Sequence, residues 1–349
     1  MSDSKKRVLS GMRPTGKLHL GNYMGALYNW VRLQREYECY FFIADWHALT
    51  TDYADTSQVP DNIREVILDF LAAGLDPELS TLFVQSDVKQ HAELFLLFTM
   101  ITPLGWLERV PTYKEQQENI TGKDLSTYGF LGYPLLQAAD ILIYQADFVP
   151  VGQDQVVHVE LTREVARRFN SFYEAKLNLA DIGEVLLGKR SGNVFPEPGV
   201  LLTPSPKLPG TDGRKMSKSY GNTILLTDPE PVIRQKLKPM VTDPARIRRS
   251  DPGNPEVCPV FDLHKVFSSA ETQQKAREGC TNAGIGCIEC KGWVADAIVA
   301  ELKPIQERRA RYENDPKLVT EILAEGNRRA TARAEQTMRE VRAAVGLGE

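Results

Sequence analysis

No stretch of this 349-residue chain approaches the ~20 consecutive apolar residues that a membrane-spanning helix needs. It also lacks internal repeats and low-complexity tracts, so nothing points to a solenoid or a flexible spacer. Neither sign of charge dominates. Forty-two Lys and Arg face 46 Asp and Glu, and a net charge of −4 does not mark a general polyanion binder. Cysteine is sparse, with five in the whole chain, too few for a disulfide scaffold at this length. Residues Met1 to Arg7 are polar and lead directly into Val8-Leu9, with no secretory signal pattern. These absences predict a cytoplasmic protein with no membrane association.

What is present is ordinary globular composition, 42% hydrophobic and 25% charged, in a chain long enough for two domains. The first half alternates. Arg7–Met12 reads as a strand, Gly21 to about Tyr37 as a helix, and Cys39–Ala44 as a strand buried on both faces. Asn62–Ala73 reads as a helix and Thr81–Gln85 as another buried strand. His91 to about Ser126 breaks the rhythm as a largely helical insertion. A helix from Pro134 to Tyr144, a strand Phe148–Val151 and an amphipathic helix Val156–Phe169 restore it, and Gly- and Pro-rich Asp181–Gly213 reads as a long loop. Beyond Pro229 only helical periodicity remains, over Ala297–Tyr312 and Val319–Val345. The expectation is an α/β fold. A doubly wound parallel, Rossmann-like sheet occupies 1–222, with the insertion at about 91–130, and an all-helical domain follows over 223–349.

Two short motifs carry chemistry. His19-Leu20-Gly21-Asn22 follows the first strand and opens a helix, where backbone N–H groups can face an anion. Gly21 lets a nucleotide approach the backbone, and the His19 imidazole can donate to a phosphate oxygen that gains charge in a transition state. Taken alone, this tetrapeptide reads equally well as a helix cap with a surface histidine. Lys215-Met216-Ser217-Lys218-Ser219 lies in a polar loop at 213–220. Two lysines three apart are mobile point charges suited to a departing pyrophosphate, and Met216 can anchor the loop.

A third constellation suggests an amino-acid pocket. Tyr133, Gln137 and Asp140 fall at i, i+4 and i+7 on one helical face. A hydroxyl, an amide and a carboxylate there can read an ammonium group and a polar side-chain atom, or serve as a buried salt bridge. Gly152-Gln153-Asp154-Gln155 follows a strand, at the sheet edge where ligands bind. Asp154 is placed for ribose hydroxyls and Gln155 for a substrate ammonium. Farther on, Arg234, Lys236, Lys238, Arg246, Arg248 and Arg249 form a basic strip interrupted by one acid, Asp243. Four of the five cysteines cluster as Cys258, Cys280, Cys287 and Cys290, spaced C-x21-C-x6-C-x2-C. In a reducing compartment that pattern reads as a metal site, zinc or iron–sulfur. Cys39 reads as a buried core thiol.

The two nucleotide motifs resemble the signatures of the class I aminoacyl-tRNA synthetases. The second matches at all five positions, and the first departs in having Asn22 where a second histidine is usual. Asp45-Trp46-His47-Ala48-Leu49-Thr50, Leu107–Lys114 and Val149–Arg163 resemble the tryptophanyl members, and the likeness runs over essentially the whole chain. It implies ATP-dependent activation of L-tryptophan, with Mg2+, and transfer of the tryptophanyl group to tRNA(Trp). It implies that Lys215, Lys218, His19 and Lys114 serve catalysis, and that Arg13, Thr15, Gly16, Gly21, Asn22, Gly152, Asp154, Met216 and Ser217 join them around ATP. It places Tyr133, Gln137, Asp140, Gln155 and His47 around the amino acid, with Asp140 on the indole nitrogen. Gln137 departs from many bacterial members and makes the pocket more like a tyrosyl enzyme's. A tyrosine–tRNA ligase of the same fold, or a catalytically inactive tRNA-binding redox regulator, is the alternative. The cysteine pattern and Asp251-Pro252-Gly253-Asn254 resemble the subgroup that carries a [4Fe–4S] cluster, with zinc as the alternative. The family also implies a homodimer with Leu94–Trp106 at its interface. Asp140→Ala is expected to abolish tryptophan activation and leave the fold intact.

Overall fold

The computed structural model describes residues 5–111, 124–173, 192–202 and 208–347. Its centre is a parallel sheet of five strands: β1 Arg7–Met12, β2 Glu38–Ile43, β3 Ser80–Val84, β4 Phe148–Val151 and β5 Gly199–Leu202. They lie in the order β3-β2-β1-β4-β5. Cys39 to Ile43 and all of β3 are buried without alternation, as strands covered on both faces must be. The doubly wound order puts a topological switch between β1 and β4. There the ladder holds a single register pair, Val8 with Phe148, whereas β1 and β2 pair from Arg7–Glu38 through to Met12–Ile43. The two central strands therefore part towards their C-terminal ends and leave a crevice.

The chain after β1 does not run into one smooth helix. Helix α1 (Leu20–Asn22), a π-helical stretch (Tyr23–Leu27) and α2 (Tyr28–Leu33) follow in series. Trp30 leaves this segment to stack on Phe41 of β2 at 4.7 Å. Helices α3 (Asp45–Asp52) and α4 (Val59–Ala73) come next, and α4 stops at Gly74, whose φ of 110° closes the helix in the left-handed conformation. The helical insertion contains α5 (Gln90–Thr99) and α6 (Leu104–Glu108). Its apolar run divides: Leu94 and Phe98 enter the core, while Leu96, Met100 and Leu104 stay exposed.

Helix α7 (Tyr128–Ile143) begins six residues before Pro134, because Thr127 caps it by accepting from the Phe130 N–H. Helix α8 (Val156–Phe172) follows β4. Strand β5 corrects the reading of Asp181–Gly213 as loop throughout. Gly199–Leu202 pairs with β4 despite its Gly- and Pro-rich surroundings, because an edge strand of four residues needs only a partner ladder.

The C-terminal part contributes α9 (Glu230–Leu237), α10 (Pro259–Phe267), α11 (Ala270–Thr281), α12 (Cys287–Glu313) and α13 (Pro316–Val345). Helix α13 returns to the sheet and covers the open edge of β3. Asn327 accepts from the Val84 N–H at 3.0 Å, and the Arg329 guanidinium donates to the carbonyls of Pro77 and Ser80. Ala330, Ala334, Met338 and Val341 share a core with Tyr40, Phe83 and Leu135. Among the described residues, no helix is long and apolar enough to cross a membrane.

Candidate active site

Two adjoining cavities open at the switch point. The first, about 290 Å3, lies between the parted ends of β1 and β4 and helices α3, α7 and α8. Tyr133, Gln137, Asp140, Gln155 and His47 all line it, beside Arg13 and Gly11. The second, about 810 Å3, is lined by Thr15, His19, Asn22, Ser217 and Lys218, opposite Asp52, Asp55 and Asn62. Arg13 joins them: it lines the first cavity, and its guanidinium donates to Thr51 at the wall of the second. Residues some two hundred apart in the chain thus meet at one place. Lys114 lies outside the described residues, as does the side chain of Asp154. The backbone of Gly152 caps the short 3-10 turn Gln153–Gln155 that carries Gln155 into the first cavity.

His19 is both helix cap and candidate donor. Its Nδ1 accepts from the Asn22 N–H at 3.3 Å, while the Asn22 side-chain oxygen accepts from the His19 N–H at 3.1 Å. Asn22, the departure from the usual motif, therefore closes a reciprocal cap. With Nδ1 accepting, the ring proton of neutral His19 sits on Nε2. Burial, then the charges of Lys218 and Lys215, hold the imidazole pKa down at about 4. Near neutral pH His19 is an uncharged N–H donor. Gly21 is required by the same ring, because a Cβ there would lie 2.9 Å from it.

Lys218 docks its loop onto the turn after β1, donating to the carbonyls of Thr15 at 2.7 Å and Gly16 at 2.9 Å. Burial lowers its pKa to about 8, against a raising contribution from Asp69. Lys215 is exposed, and Met216 is buried in the core at 4% exposure. The loop is latched by Asn222, which the motif analysis did not single out. Asn222 accepts from the Ser217 N–H at 2.8 Å and donates to Asp212 at 2.7 Å and to the Lys215 carbonyl at 3.2 Å.

Asp140 forms the floor of the first cavity at 1% exposure. Gln85 donates to both its oxygens at 2.8 and 3.0 Å, His91 to one at 2.6 Å and His47 to the other at 2.9 Å. The Gln85 amide is oriented by the Trp46 N–H on its oxygen, and His91 is held behind by the Tyr144 hydroxyl at 2.8 Å. Burial pushes the Asp140 carboxyl up, but the hydrogen bonds from His47 and His91 outweigh it and leave its pKa below the usual value. The floor is a carboxylate. His47 is the one of these donors that also reaches the cavity surface. Gln85 and His91 carry no local sequence signal, since they meet Asp140 only where the end of β3 and α5 pack on α7.

The four clustered cysteines converge at one end of the helical region. Cys258 caps α10, Cys280 is in α11, and Cys287 and Cys290 form the first turn of α12. Among the described residues, no group of three or more His, Cys, Asp and Glu side chains is arranged to hold a metal ion. The thiols do lie within electrostatic reach of one another. Burial first, then Cys258, Cys280 and Cys287, raise the Cys290 pKa to about 12. Arg246 stands beside them, donating to the carbonyls of Arg249 and Ile285, with its guanidinium 3.8 Å from the Cys280 sulfur. Gly253 is required here, because a Cβ would lie 2.6 Å from that sulfur.

Comparison with known proteins agrees with this geometry. Residues 1–303 match the family of class I tRNA synthetases for W and Y. A tryptophan–tRNA ligase of Thermotoga maritima is 54% identical over 98% of this chain and 99% of its own, and one of Ralstonia nicotianae is 51% identical over 98% of each. A tryptophanyl-tRNA synthetase from Campylobacter jejuni, solved with ADP and tryptophan, superposes with a TM-score of 0.83 at 32% identity, over 98% of this chain and 100% of that one. With the switch-point crevice, the lysine loop and these full-length likenesses together, the chain belongs to the class I tRNA synthetases of the tryptophanyl and tyrosyl family, among their tryptophanyl members.

Proposed function

We propose that this chain activates L-tryptophan with ATP and transfers it to tRNA(Trp), using the first cavity for the amino acid and the second for the nucleotide. The observation that carries this reading is a buried carboxylate, Asp140, at the end of a cavity that opens beside His19 and Lys218. Asp140 accepts from the indole N–H, and Tyr133 and Gln155 face the α-ammonium. The tryptophan carboxylate attacks the α-phosphorus in line and expels pyrophosphate. Positioning and charge neutralisation supply most of the acceleration. Neutral His19 donates from Nε2 to a phosphate oxygen, and Lys215 and Lys218 follow the leaving pyrophosphate, joined by Lys114. Asp154 holds the ribose, and Mg2+ accompanies ATP. The tRNA 3′-terminal hydroxyl then attacks the carbonyl carbon of the mixed anhydride, forming the ester as the bond to phosphate breaks and AMP leaves.

The region beyond 223 serves as the tRNA-binding part, in a cytoplasmic enzyme. Its four cysteines suit a [4Fe–4S] cluster. Four thiols within electrostatic reach of one another would ionise together only with a cationic centre among them, and Arg246 would offset further negative charge on sulfur. Bound there, the cluster would be structural, tying α10, α11 and α12 to the Arg246–Arg249 strip. Protein purified without oxygen should carry about four irons and a broad visible absorption, whereas zinc alone in that preparation would overturn the assignment. Exposed Leu96, Met100 and Leu104 on the insertion support a homodimer, to be checked by light scattering.

The test of the reaction is amino-acid-dependent ATP–pyrophosphate exchange. Tryptophan should support exchange and tyrosine should not. Exchange with tyrosine, or with neither, would overturn the proposed substrate.

A further inference from the structure

The nucleotide motif is gripped from outside the sheet. Leu18–Leu20 and Ile224–Leu226 form a short antiparallel ribbon around His19. The Leu20 N–H bonds to the Ile224 carbonyl at 3.0 Å, the Leu226 N–H to the Leu18 carbonyl at 2.9 Å, and His19 bridges Leu225. Both strands of this ribbon are then held by one helix, α12. Gln306 donates to the carbonyls of Leu226 and Asp228, each at 2.9 Å. Arg309, one turn further on, pairs with Asp69 of α4, and the other Asp69 oxygen accepts from the Leu18 N–H at 2.7 Å. A third contact lies nearer the start of α12, where Glu301 accepts from the Tyr23 hydroxyl at 2.7 Å.

These contacts are built as a site. Arg309 is 4% exposed and Asp69 fully buried. Two further carboxylates, Glu65 and Glu313, complete the Arg309 fork, so its rotamer is fixed. Gln306 and Arg309 are three apart and therefore share a face of the helix. Packing alone would be served by apolar residues there, since a buried ion pair is weak support for stability compared with a hydrophobic contact of similar volume. What the polar groups add is direction: Asp69 ends on the Leu18 N–H next to His19, Gln306 on the Leu226 carbonyl of the paired strand and on Asp228 just beyond it, and Arg309 holds Asp69 in place.

We propose that Gln306, Arg309 and Asp69 are positioning residues for the nucleotide site, setting His19 and the ribbon at its N-terminal edge against Lys218. The proposal rests on the reading of His19 and Lys218 as nucleotide contacts. Helix α12 starts at the cysteine cluster and reaches Arg309 after 22 residues, about 33 Å at helical rise. One continuous helix, with Pro304 in its interior, therefore joins the region proposed for tRNA to the motif proposed for ATP.

The test separates the two substrates. Gln306→Met keeps the side chain's length and removes both of its hydrogen bonds. It should raise the KM for ATP roughly five- to tenfold in pyrophosphate exchange, with the KM for tryptophan within about twofold of the parent. The double variant Asp69→Asn/Arg309→Met removes both charges together, so neither is left buried alone, and should show the same split. His19→Gln and Lys218→Ala are measured in parallel. If they raise the ATP KM while folded Gln306→Met and the double variant do not, the positioning role is wrong. If all variants raise both KM values equally, the contacts are merely structural and the proposal fails. If His19→Gln and Lys218→Ala leave ATP untouched, the nucleotide reading itself falls.

Discussion

Replacing Asp140 with asparagine isolates the charge at the floor of the amino-acid cavity. The carboxylate receives Gln85, His91 and His47 at 2.6 to 3.0 Å and is almost wholly buried. Asparagine keeps the shape and one acceptor oxygen, which can still serve Gln85 and His91. Its amide then faces His47, whose ring can change tautomer to accept. The fold should lose about 1 to 3 kcal/mol, the cost of one poorly matched buried partner. Alanine would strand two buried donors, Gln85 and His91, together with the half-buried His47, several kcal/mol out of the ~5 to 15 that a domain commands. Asp140→Ala is therefore expected to destabilise the fold as well as abolish activation, which makes Asp140→Asn the sharper probe. For catalysis, a hydrogen bond to an ionised acceptor is worth about 1.5 to 3 kcal/mol, so kcat/KM for tryptophan should fall roughly 10- to 150-fold in Asp140→Asn. The informative assay is pyrophosphate exchange with tryptophan and with its sulfur isostere, which has no indole N–H. The parent should discriminate strongly and the variant much less, because the penalty for an unpaired buried acceptor is removed. A folded Asp140→Asn protein with parental kcat/KM and parental discrimination would refute the assignment.

Other perturbations follow from the same geometry. Lys218, with its pKa lowered to about 8, is charged below that pH and neutral above it, so kcat/KM for ATP should decline through about pH 8. Lys218→Arg should lose that alkaline limb, and identical profiles for the two proteins would remove Lys218 as its source. Asn222→Ala should unlatch the lysine loop, raise the ATP KM roughly tenfold and cost about 1 to 3 kcal/mol in thermal denaturation, since Asn222 is buried and bonded three times. Loss of amide-exchange protection at Ser217 is its direct readout, and retained protection would contradict the latch. In Gly326→Ala the new Cβ would fall 1.7 Å from the Leu82 carbonyl oxygen, so α13 must shift off the sheet. The expected loss is about 1 to 3 kcal/mol or more by thermal denaturation, and an unchanged melting curve would mean that α13 is not seated there.

The strands β2 and β3 could be read from sequence because apolar runs such as Cys39–Ile43 are a local signal of double-sided burial, and β1 and β4 because short apolar stretches alternate with helical ones. The lysine loop and the His19 cap were legible for the same reason: their residue types and spacing sit within a few positions. Tyr133, Gln137 and Asp140 could be placed together by helical period, and they do line one cavity. Strand β5 was hidden, since four residues among glycines and prolines have no period to detect. The partners Gln85 and His91 of Asp140 and the Arg309–Asp69 pair were invisible for a different reason. Arg309 and Asp69 are 240 residues apart, and nothing local to either specifies the other. Cys258, Cys280, Cys287 and Cys290 lie between these cases, clustered enough to be noticed, with their convergence legible only once α10 to α12 are packed.

The cover that α13 lays over β3 also has a history during synthesis. Val84 and Asn327, which share a hydrogen bond, are 243 residues apart. At ~5 to 20 residues per second, the exposed edge of β3 waits roughly 12 to 50 s for its partner to leave the ribosome. Throughout that interval the nascent sheet presents unpaired N–H and C=O groups to other chains. The growing chain is thus most open to mispairing just when its sheet has assembled, and a chaperone that shields strand edges should raise its folding yield more than one that delays collapse.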